Sequence, residues 1–497
     1  MVISLSDLNN PGNYRGLTIP GQASGDRLGE EVYSGGDLNG DGIDDLVITA
    51  TDAGVPSTDI NSYSDSDRRG KAYIIFGDQN NSQTTFDLDN LNGNNGFSVS
   101  GLDAEDNLGT AISAGDLNGD GIDDLVLGAA NAGERVSSYG NSYSEANGET
   151  YVIFGRQNGF NSEVDLTNLN GSNGFTLRGI DPGDLLGTAV TSVGDINGDG
   201  INDLAISAVD AGRETTNNNG FTTSDLRGEV YVLFGNNNGF NSRFDLSNLN
   251  GSNGFILEGK DANDSLGGSL SNGGDINGDG IDDLVIGAVN AGNVLDSPFA
   301  DGYSDQRGEV YVVFGSRNGF KARTTVTQRL NGNNGFTLSG IGVEDSLGSD
   351  VSNIGDLNGD GIEDLIIGAK RASVAGEYTQ EGQAYVVFGR QGGFNSQFDL
   401  NSLDGSNGFS LAGIDSNDGL GNAVSAGDFN GDGLDDLFVG ASNAGENLSA
   451  YGYDYSDQRG EAYVIFGRQN GFSSKIDLTN IDSNLGTKVA GISPEDM

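Results

Sequence analysis

The chain has 497 residues, and its 73 acidic and 24 basic side chains give a formal net charge of −49. This acidity argues against a nucleic-acid partner and against an anionic membrane as a partner, because binding to either needs patches of Lys and Arg. We also expect no direct membrane insertion. The chain also has no His and no Cys, which excludes Ser-His-Asp triads, Cys-His dyads, disulfides and the usual zinc and haem sites.

The first 20 residues lack the charged and apolar regions of a signal peptide, and no stretch approaches the ~18 apolar residues of a membrane span. Export would therefore depend on a signal outside this sequence. The first recognisable element is a short apolar segment that ends in glycine, LTIPG at 17–21.

This segment recurs along the whole chain and defines a repeat. Its seven copies end at Gly21, Gly101, Gly179, Gly259, Gly340, Gly413 and Gly491. Successive copies are 80, 78, 80, 81, 73 and 78 residues apart. The six complete repeats are 22–101, 102–179, 180–259, 260–340, 341–413 and 414–491. They leave no room for a second domain, so we expect one domain over residues 1–497.

Each repeat predicts four short strands, which in the second repeat fall near 108–113, 124–129, 151–155 and 175–177. The central strands are apolar on both faces, as in a small sheet buried between two others. No helical periodicity is present, so no helix is predicted. Repeated four-stranded sheets indicate an all-β fold, a β-propeller, whereas a solenoid would need shorter rungs.

The two ends of the chain differ from the repeats between them. The fourth-strand element occurs seven times and the other three strands six times, so one copy is surplus in a six-bladed ring. The final residues, 491–497, are similar to 101–107, after which a new repeat would begin. We therefore expect a fragment, or a propeller that lacks part of a seventh blade.

An acidic nine-residue loop joins the first two strands of each repeat, with the sequence DLNGDGIDD at 37–45. Positions 1, 3, 5 and 9 are Asp, Asn, Asp and Asp in all six copies, and position 6 is always Gly. Hard oxygen donors at this density select calcium, and glycine permits the tight turn that brings them together. The predicted ligands, with the backbone carbonyl at position 7, are Asp37, Asn39, Asp41, Ile43, Asp45, Asp116, Asn118, Asp120, Ile122, Asp124, Asp195, Asn197, Asp199, Ile201, Asp203, Asp275, Asn277, Asp279, Ile281, Asp283, Asp356, Asn358, Asp360, Ile362, Asp364, Asp428, Asn430, Asp432, Leu434 and Asp436.

Two other interpretations of the loop were weighed. An EF-hand would need a bidentate Glu at position 12, where Ile48 and its counterparts are apolar. A solvated acidic hairpin with Asx turns would leave three carboxylates repelling each other by up to about 4 kcal/mol per pair. We therefore predict about six calcium ions with a structural role. Position 8 varies between copies and is predicted to face solvent.

The Leu-Gly pair, the acidic loop and the following Gly-Ala or Ser-Ala resemble FG-GAP repeats, which form the blades of the integrin α-subunit propeller. The likeness covers all six repeats and points to bacterial relatives. It implies a calcium-binding loop on one rim of a propeller, usually seven-bladed, with the ligands given above, and it suggests adhesion. Leu replaces the Phe of the FG pair, and no Pro follows the Ala.

The stretch between the second and third strands is rich in Tyr, Ser, Asp and Asn and differs in each repeat, as at 62–65, 139–143, 299–303 and 451–455. Such loops are suited to a protein or glycan ligand, although solvated loop variation is the favoured explanation. The arginines that precede the third strand are predicted to pair with nearby acids, among them Asp103, Asp181, Asp261 and Asp415. These arginines are Arg69, Arg227, Arg307 and Arg459.

These observations favour a calcium-binding adhesion or protein-interaction module that is not an enzyme, since no singular pair of acids stands out from the repeats. The weak calcium affinity typical of extracellular modules indicates an extracellular or cell-surface location. The alternatives are a lectin-like module that binds carbohydrate, and a non-catalytic accessory propeller of a larger secreted hydrolase.

Overall fold

The computed structural model describes residues 2–4, 17–55, 66–78, 85–133, 135–138, 141–213, 215–216, 222–293, 304–373, 379–445, 447–450, 453–456 and 459–491. The chain divides into two compact units. One contains residues 16–258 and 318–324, and the other contains residues 1–15, 259–317 and 325–497.

The described residues confirm an all-β fold, a β-propeller with six blades, three in each unit. Each blade has four antiparallel strands that pair in chain order. The first strands are Leu28–Ser34, Ala111–Gly115, Leu186–Gly194, Ser269–Gly274, Leu347–Asn353 and Leu420–Gly427. The second strands are Leu46–Ala50, Asp124–Ala129, Asp203–Ala208, Asp283–Ala288, Leu365–Ala369 and Asp436–Ala441. The third strands are Lys71–Ile75, Glu149–Ile153, Glu229–Leu233, Glu309–Val313, Gln383–Val387 and Glu461–Ile465. The fourth strands are Gly96–Ser100, Gly174–Arg178, Gly254–Glu258, Gly335–Ser339, Gly408–Ala412 and Gly486–Ala490.

A short fifth strand lies beside the fourth strand of every blade, and the pairing is parallel in blades 1, 2, 4, 5 and 6. In the first five blades it comes from the connection between the third and fourth strands of the next repeat, and in blade 6 it comes from the start of the chain. In blade order these strands are Glu163–Val164, Arg243–Phe244, Arg323–Thr325, Gln397–Phe398, Lys475–Ile476 and Val2–Ser4. The surplus fourth-strand copy at 17–21 forms a single β-bridge, from Thr18 to Thr85 of blade 1.

Most of the described connections between the third and fourth strands contain a 3-10 turn with an Asp N-cap. In blade 2 the Asp165 carboxylate accepts the N–H of Thr167 at 2.9 Å. The 3-10 turns are Leu88–Asn90, Leu166–Asn168, Leu246–Asn248, Leu400–Ser402 and Leu478–Asn480. Blade 4 has an α-helical turn instead, Val326–Arg329, so the prediction of no helix was wrong there.

Two-stranded hairpins stand in three of the variable stretches between second and third strands. They pair Arg135–Ser138 with Asn141–Ser144, Thr215–Thr216 with Thr222–Thr223, and Asn447–Ala450 with Tyr453–Ser456. Residues 62–65 and 299–303, also predicted to form the ligand surface, lie outside the described residues, as do 139–140 and 451–452.

The hydrophobic core lies between neighbouring blades of each unit. Val126 of blade 2, for example, belongs to the same buried cluster as Val190 and Ile206 of blade 3. A pair of phenylalanines stacks between neighbouring blades. Phe175 on the fourth strand of blade 2, for example, stacks on Phe240 from the third repeat with 4.3 Å between ring centres. Apolar burial and ring stacking therefore hold each blade against the next.

Candidate functional site: the acidic loops

The six acidic loops join the first and second strands of their blades, as predicted. In the first loop Gly42, at position 6, has a φ of 86°, a left-handed conformation that glycine adopts without strain. A Cβ atom at Gly42 would meet nothing within 4 Å. Glycine is therefore needed here for its backbone conformation and not because a larger side chain would lack space.

The Asp at position 1 organises the turn through backbone hydrogen bonds. In the first loop Asp37 accepts the N–H of Asp41 at 2.9 Å and the N–H of Gly42 at 2.6 Å. The Asp41 carboxylate in turn accepts the N–H of Ile43 at 3.0 Å. The same bonds recur in the other five loops. Position 1 is half-buried in the first loop, whereas position 5 is exposed.

The Asp at position 9 connects the loop to the third strand. Asp45 accepts the N–H of Leu38 at 3.0 Å and the N–H of Gly77, beyond the third strand, at 2.9 Å. The bond from this glycine is present in all six blades at 2.8 to 3.0 Å. The side-chain amide of the Asn at position 3 also donates to the Asp at position 9 in every blade.

Burial makes ionisation of the Asp at position 9 unfavourable. Desolvation raises the pKa of Asp45 to about 6 and the pKa of Asp124, Asp203 and Asp364 to about 8. The pKa of Asp283 and that of Asp436 are also raised, with burial again the main cause. Carboxylates at positions 1 and 5 add repulsion, as Asp116 and Asp120 do toward Asp124. Without a cation, most of these buried carboxyl groups therefore keep their proton near neutral pH, and a bound cation would favour their ionised form.

The glycine after the third strand was not singled out from the sequence. A Cβ atom on Gly155 would lie 2.2 Å from the carbonyl oxygen of Asp123 and 2.6 Å from the Ile122 side chain. Position 7 of the loop thus packs directly on this glycine. The sequence signal was available, because Phe-Gly follows the third strand in all six repeats.

The prediction that position 8 faces solvent is correct for Asp44, which is exposed, and wrong for the other five copies, which are half-buried. Asp123 accepts the N–H of Asp37 in the preceding blade at 3.0 Å, and Asp435 accepts the N–H of Asp356 at 3.2 Å. At Asp123 and Asp435, position 8 therefore connects neighbouring loops, a role that its variation between Asp, Asn and Glu concealed.

The arginines before the third strand pair with nearby acids, as predicted, and the ion-pair partner is an Asp two residues earlier in the chain. Arg69 contacts Asp67 at 2.5 Å, and the corner residue Asp103 adds a longer-range attraction. Arg227 and Arg307 contact Asp225 and Asp305 in the same way. These ion pairs belong to the turn that leads into the strand. Burial alone would raise the pKa of each carboxyl group, but hydrogen bonds from the guanidinium group and from backbone N–H groups together lower the pKa.

The donors of each loop fit a hard cation chemically, since they are carboxylate, amide and carbonyl oxygens. However, among the described residues no group of three or more acidic side chains converges as a metal site. The hydrogen bonds explain this, because the carboxylates at positions 1 and 5 point to N–H groups of their own loop. In each blade the five predicted ligands lie in the same loop, but their side chains do not show a coordination geometry.

The similarity to known proteins lies in the repeats. The FG-GAP repeat family model matches residues 29–75, 108–153, 347–387 and 420–465. Each match extends from the first strand of a blade to its third strand. Among the described residues, none of the helices is long and apolar enough to span a membrane.

Several curated proteins are similar to part of the chain. Phosphatidylinositol-glycan-specific phospholipase D of Bos taurus is 33% identical over 216 residues, which is 44% of this chain and 21% of that protein. Integrin alpha-4 of Xenopus laevis is 32% identical over 193 residues, 39% of this chain and 15% of that protein. Integrin alpha-PS5 of Drosophila melanogaster is 32% identical over 189 residues, with 37% and 15% covered. The chain thus spans about a fifth or less of these relatives. It carries FG-GAP repeats and is homologous to the integrin alpha subunits and to phosphatidylinositol-glycan-specific phospholipase D.

Proposed function

We propose that the chain is a calcium-binding, extracellular β-propeller that acts as an adhesion or protein-interaction module and does not catalyse a reaction. The observation that carries this proposal is the sixfold loop, in which a buried Asp at position 9 shares one short loop with less buried oxygen donors at positions 1 and 5. Calcium has a structural role in this proposal, because its positive charge offsets the negative charge of the loop carboxylates.

The energetics support a structural role. At a free calcium concentration about ten times the dissociation constant, one site stabilises the folded state by about 1.4 kcal/mol, and six independent sites by about 8 kcal/mol. That sum equals the whole stability of an ordinary domain. Because extracellular calcium modules bind in the millimolar range, the loops would fill outside the cell and stay largely empty in the cytosol.

Calorimetry on decalcified protein tests the ligand set. We expect about six calcium ions per chain, one for each loop. Asp41→Ala removes a proposed ligand and should lower the stoichiometry by one. Asp44→Ala removes the same charge from an exposed position of the same loop, so it should leave the stoichiometry unchanged. Equal effects of both variants would contradict the ligand assignment, and no calcium uptake would overturn the proposal.

The structural role has its own measurement. Chelation of calcium with EDTA should lower the melting temperature of the full chain, and added calcium should restore it. If calorimetry shows uptake and the melting temperature stays the same, the ions bind without stabilising the blades.

The phospholipase D relatives favour a second candidate, in which this chain is a non-catalytic propeller of a larger secreted hydrolase. The matching region is 21% of the bovine protein. Sequencing of the native transcript tests this candidate. A reading frame that joins these repeats to a hydrolase domain would support it, and one that encodes the repeats alone would contradict it. A glycan array, probed with and without calcium, tests whether the partner is a carbohydrate.

A further inference from the structure

The junction of blades 5 and 6 contains a polar cavity of about 250 Å³ beside the ends of the two second strands. Both blades belong to the same compact unit. Residues of the fifth and sixth repeats line the cavity, among them Lys370, Arg371, Gln380, Gly419, Ser442 and Asn443. Among the described residues that line it, none has an apolar side chain. A molecule bound here would therefore meet polar groups on all sides.

Lys370 and Arg371 distinguish this cavity from the equivalent places in the other repeats. The two residues follow the Ala that ends the second strand of blade 5. In the other five blades these positions hold Thr51 and Asp52, Ala130 and Asn131, Val209 and Asp210, Val289 and Asn290, and Ser442 and Asn443. Basic side chains therefore occur there in blade 5 alone, and they make the cavity locally positive in a chain of net charge −49.

The backbone fixes these two basic residues, while their side chains remain available. The N–H of Lys370 donates to Oγ of Ser349 at 3.3 Å, and the N–H of Arg371 donates to the carbonyl of Asp345 at 3.3 Å. Among the described residues, no partner bonds to either basic side chain through a hydrogen bond or an ion pair. The carboxylate of Asp350 is attracted by Lys370, but it accepts two backbone N–H groups instead. The cavity thus offers two cations to an anionic group.

A missing side chain leaves room for that group. Gly419 precedes the Leu-Gly pair of blade 6, and it has a φ of 68°. The counterparts in the other repeats have φ values of 52° to 57° without being glycine, and they are Arg27, Asn107, Leu185, Ser265 and Ser346. A Cβ atom on Gly419 would lie 3.6 Å from Nδ2 of Asn443 and 3.9 Å from Oγ of Ser442. A larger residue at this position would therefore extend into the cavity.

The junction of blades 1 and 2 shows how a side chain occupies the same space. There Asn107 stands at the position of Gly419, and its Nδ2 donates to the carbonyl of Thr51 at 3.1 Å. The amide of Asn131 in turn donates to Oδ1 of Asn107 at 3.0 Å. These two partners correspond to residues that line the cavity between blades 5 and 6. The side chain that bridges one junction is thus absent from the other.

We propose that this cavity binds a sugar that carries a carboxylate group. The guanidinium group of Arg371 can bond a carboxylate through two parallel N–H groups, and the Lys370 ammonium group adds a further donor. The amide and hydroxyl groups of Gln380, Ser442 and Asn443 both donate and accept hydrogen bonds, which suits the hydroxyl groups of a sugar.

Size and charge limit the ligand to a small one. The cavity volume of about 250 Å³ is slightly below the ~300 to 1,000 Å³ of ordinary ligand pockets, so it suits a single sugar residue. An extended polyanion would be repelled by the net charge of −49 on the rest of the chain. The inference deepens the proposed interaction role by naming a ligand. It rests on that role and not on calcium, because none of the described residues that line the cavity is a predicted calcium ligand.

Calorimetric titration of the full chain tests the proposal, with D-glucuronate, D-galacturonate and N-acetylneuraminate as probes. We expect at least one of these acids to bind at one site per chain. D-glucose, acetate and inorganic phosphate should each bind at least about ten-fold more weakly, because each lacks either the carboxylate or the sugar hydroxyl groups. Acetate or phosphate that binds as tightly as the acids would overturn the assignment to a sugar. Glucose that binds as tightly would overturn the role of the two cations, and no binding of any acid would overturn the proposal.

Substitutions that copy other blades test the residues with little risk to folding. Lys370→Ser combined with Arg371→Asn gives blade 5 the residues of blade 6 and should weaken binding at least about ten-fold. Gly419→Asn introduces the residue of blade 2 at a φ that Asn107 already adopts, and it should weaken binding to a similar extent by occupying the cavity. The matched control is Lys475→Ser, which removes a positive charge from an exposed residue of the fifth strand of blade 5. The control should bind like the original chain.

The two cavity variants are independent, so either one tests the site if the melting temperature shows that the other does not fold. Normal binding by a folded cavity variant would overturn the assignment, as would an equal loss in the Lys475→Ser control. Titrations in calcium and in EDTA separate this inference from the proposed function. Calcium uptake without binding of the acids would contradict the sugar site alone, and binding of the acids without calcium uptake would contradict the calcium sites alone.

Discussion

The junction between blades 5 and 6 and the open face of blade 6 are built from the same repeat, yet they have different surroundings. At the junction, Ile366 is fully buried under the next blade, and Phe409 stacks on Phe472 with 4.6 Å between ring centres. On the open face, Phe438 occupies the position of Ile366 and is 37% exposed, and Thr487 occupies the strand position of Phe409.

The comparison shows that much of the apolar surface of a blade is buried by contact with its neighbour. The strands, the loop and the pairing register of blades 5 and 6 correspond. What differs is the apolar surface removed from water, because Phe438 of blade 6 is 37% exposed where Ile366 of blade 5 is fully buried. Substitutions at equivalent positions of the two blades should therefore cause unequal losses in the free energy of unfolding.

Truncation of the stacked ring should give the largest difference. Phe409→Ala removes a fully buried side chain and its stacking partner's contact, so we expect a loss of about 3 to 5 kcal/mol in the free energy of unfolding. Thr487→Ala at the equivalent position of blade 6 should cost about 1 kcal/mol. Urea unfolding of both variants measures the difference, and equal losses would show that the stacked pair adds nothing to the junction.

The pH dependence of stability should differ between the two loops. Burial raises the pKa of Asp364 to about 8 at the covered junction, above its value of about 3.9 in the unfolded chain. The folded state then binds a proton that the unfolded state releases, so calcium-free protein loses stability as the pH rises from about 4 to about 8. We expect a loss of about 1 to 3 kcal/mol from this group, the usual penalty for a buried polar group.

Asp364→Asn should reduce that slope, and Asp436→Asn in blade 6 should reduce it less. Urea unfolding in EDTA at about pH 5 and about pH 8 gives the slope directly. The absolute stability of each variant does not enter the comparison. A slope that Asp364→Asn leaves unchanged would show that this carboxylate does not hold its proton in the folded protein.

The smallest effect is expected on the open face itself. Phe438→Ala removes a ring that is 37% exposed, so the loss at low protein concentration should stay below about 1 kcal/mol. Ile366→Ala, at the same position of blade 5, should cost about 2 to 5 kcal/mol. A large loss for Phe438→Ala in monomeric protein would mean that the ring is buried in solution.

The repeat was sufficient to predict the all-β propeller fold and the position of the six loops, because strand patterning and the Asp-x-Asn-x-Asp-Gly spacing are local signals. The tight turn at the position 6 glycine was predicted for the same reason, and Gly42 adopts it with a left-handed φ of 86°. Calcium binding by these loops stays a prediction.

Features that depend on a neighbouring blade could not be predicted in this way. Asp123 was expected to face solvent, but its partner, the N–H of Asp37, lies 86 residues away in another repeat. The helix Val326–Arg329 arises where the sequence TTVTQRL replaces the usual Asp-capped turn.

The fifth strand of each sheet comes from outside the repeat that forms the other four strands. The boundaries of the sequence repeats and the boundaries of the folded sheets therefore do not coincide. Any cut at a repeat boundary separates a sheet from the strand that protects its edge, because that strand belongs to the following repeat. In blade 6 the protection comes from Val2–Ser4 instead. A recombinant chain shortened by its first few residues would therefore present the unpaired edge of Gly486–Ala490 to other molecules, and tags or linkers should be added without disturbing those residues.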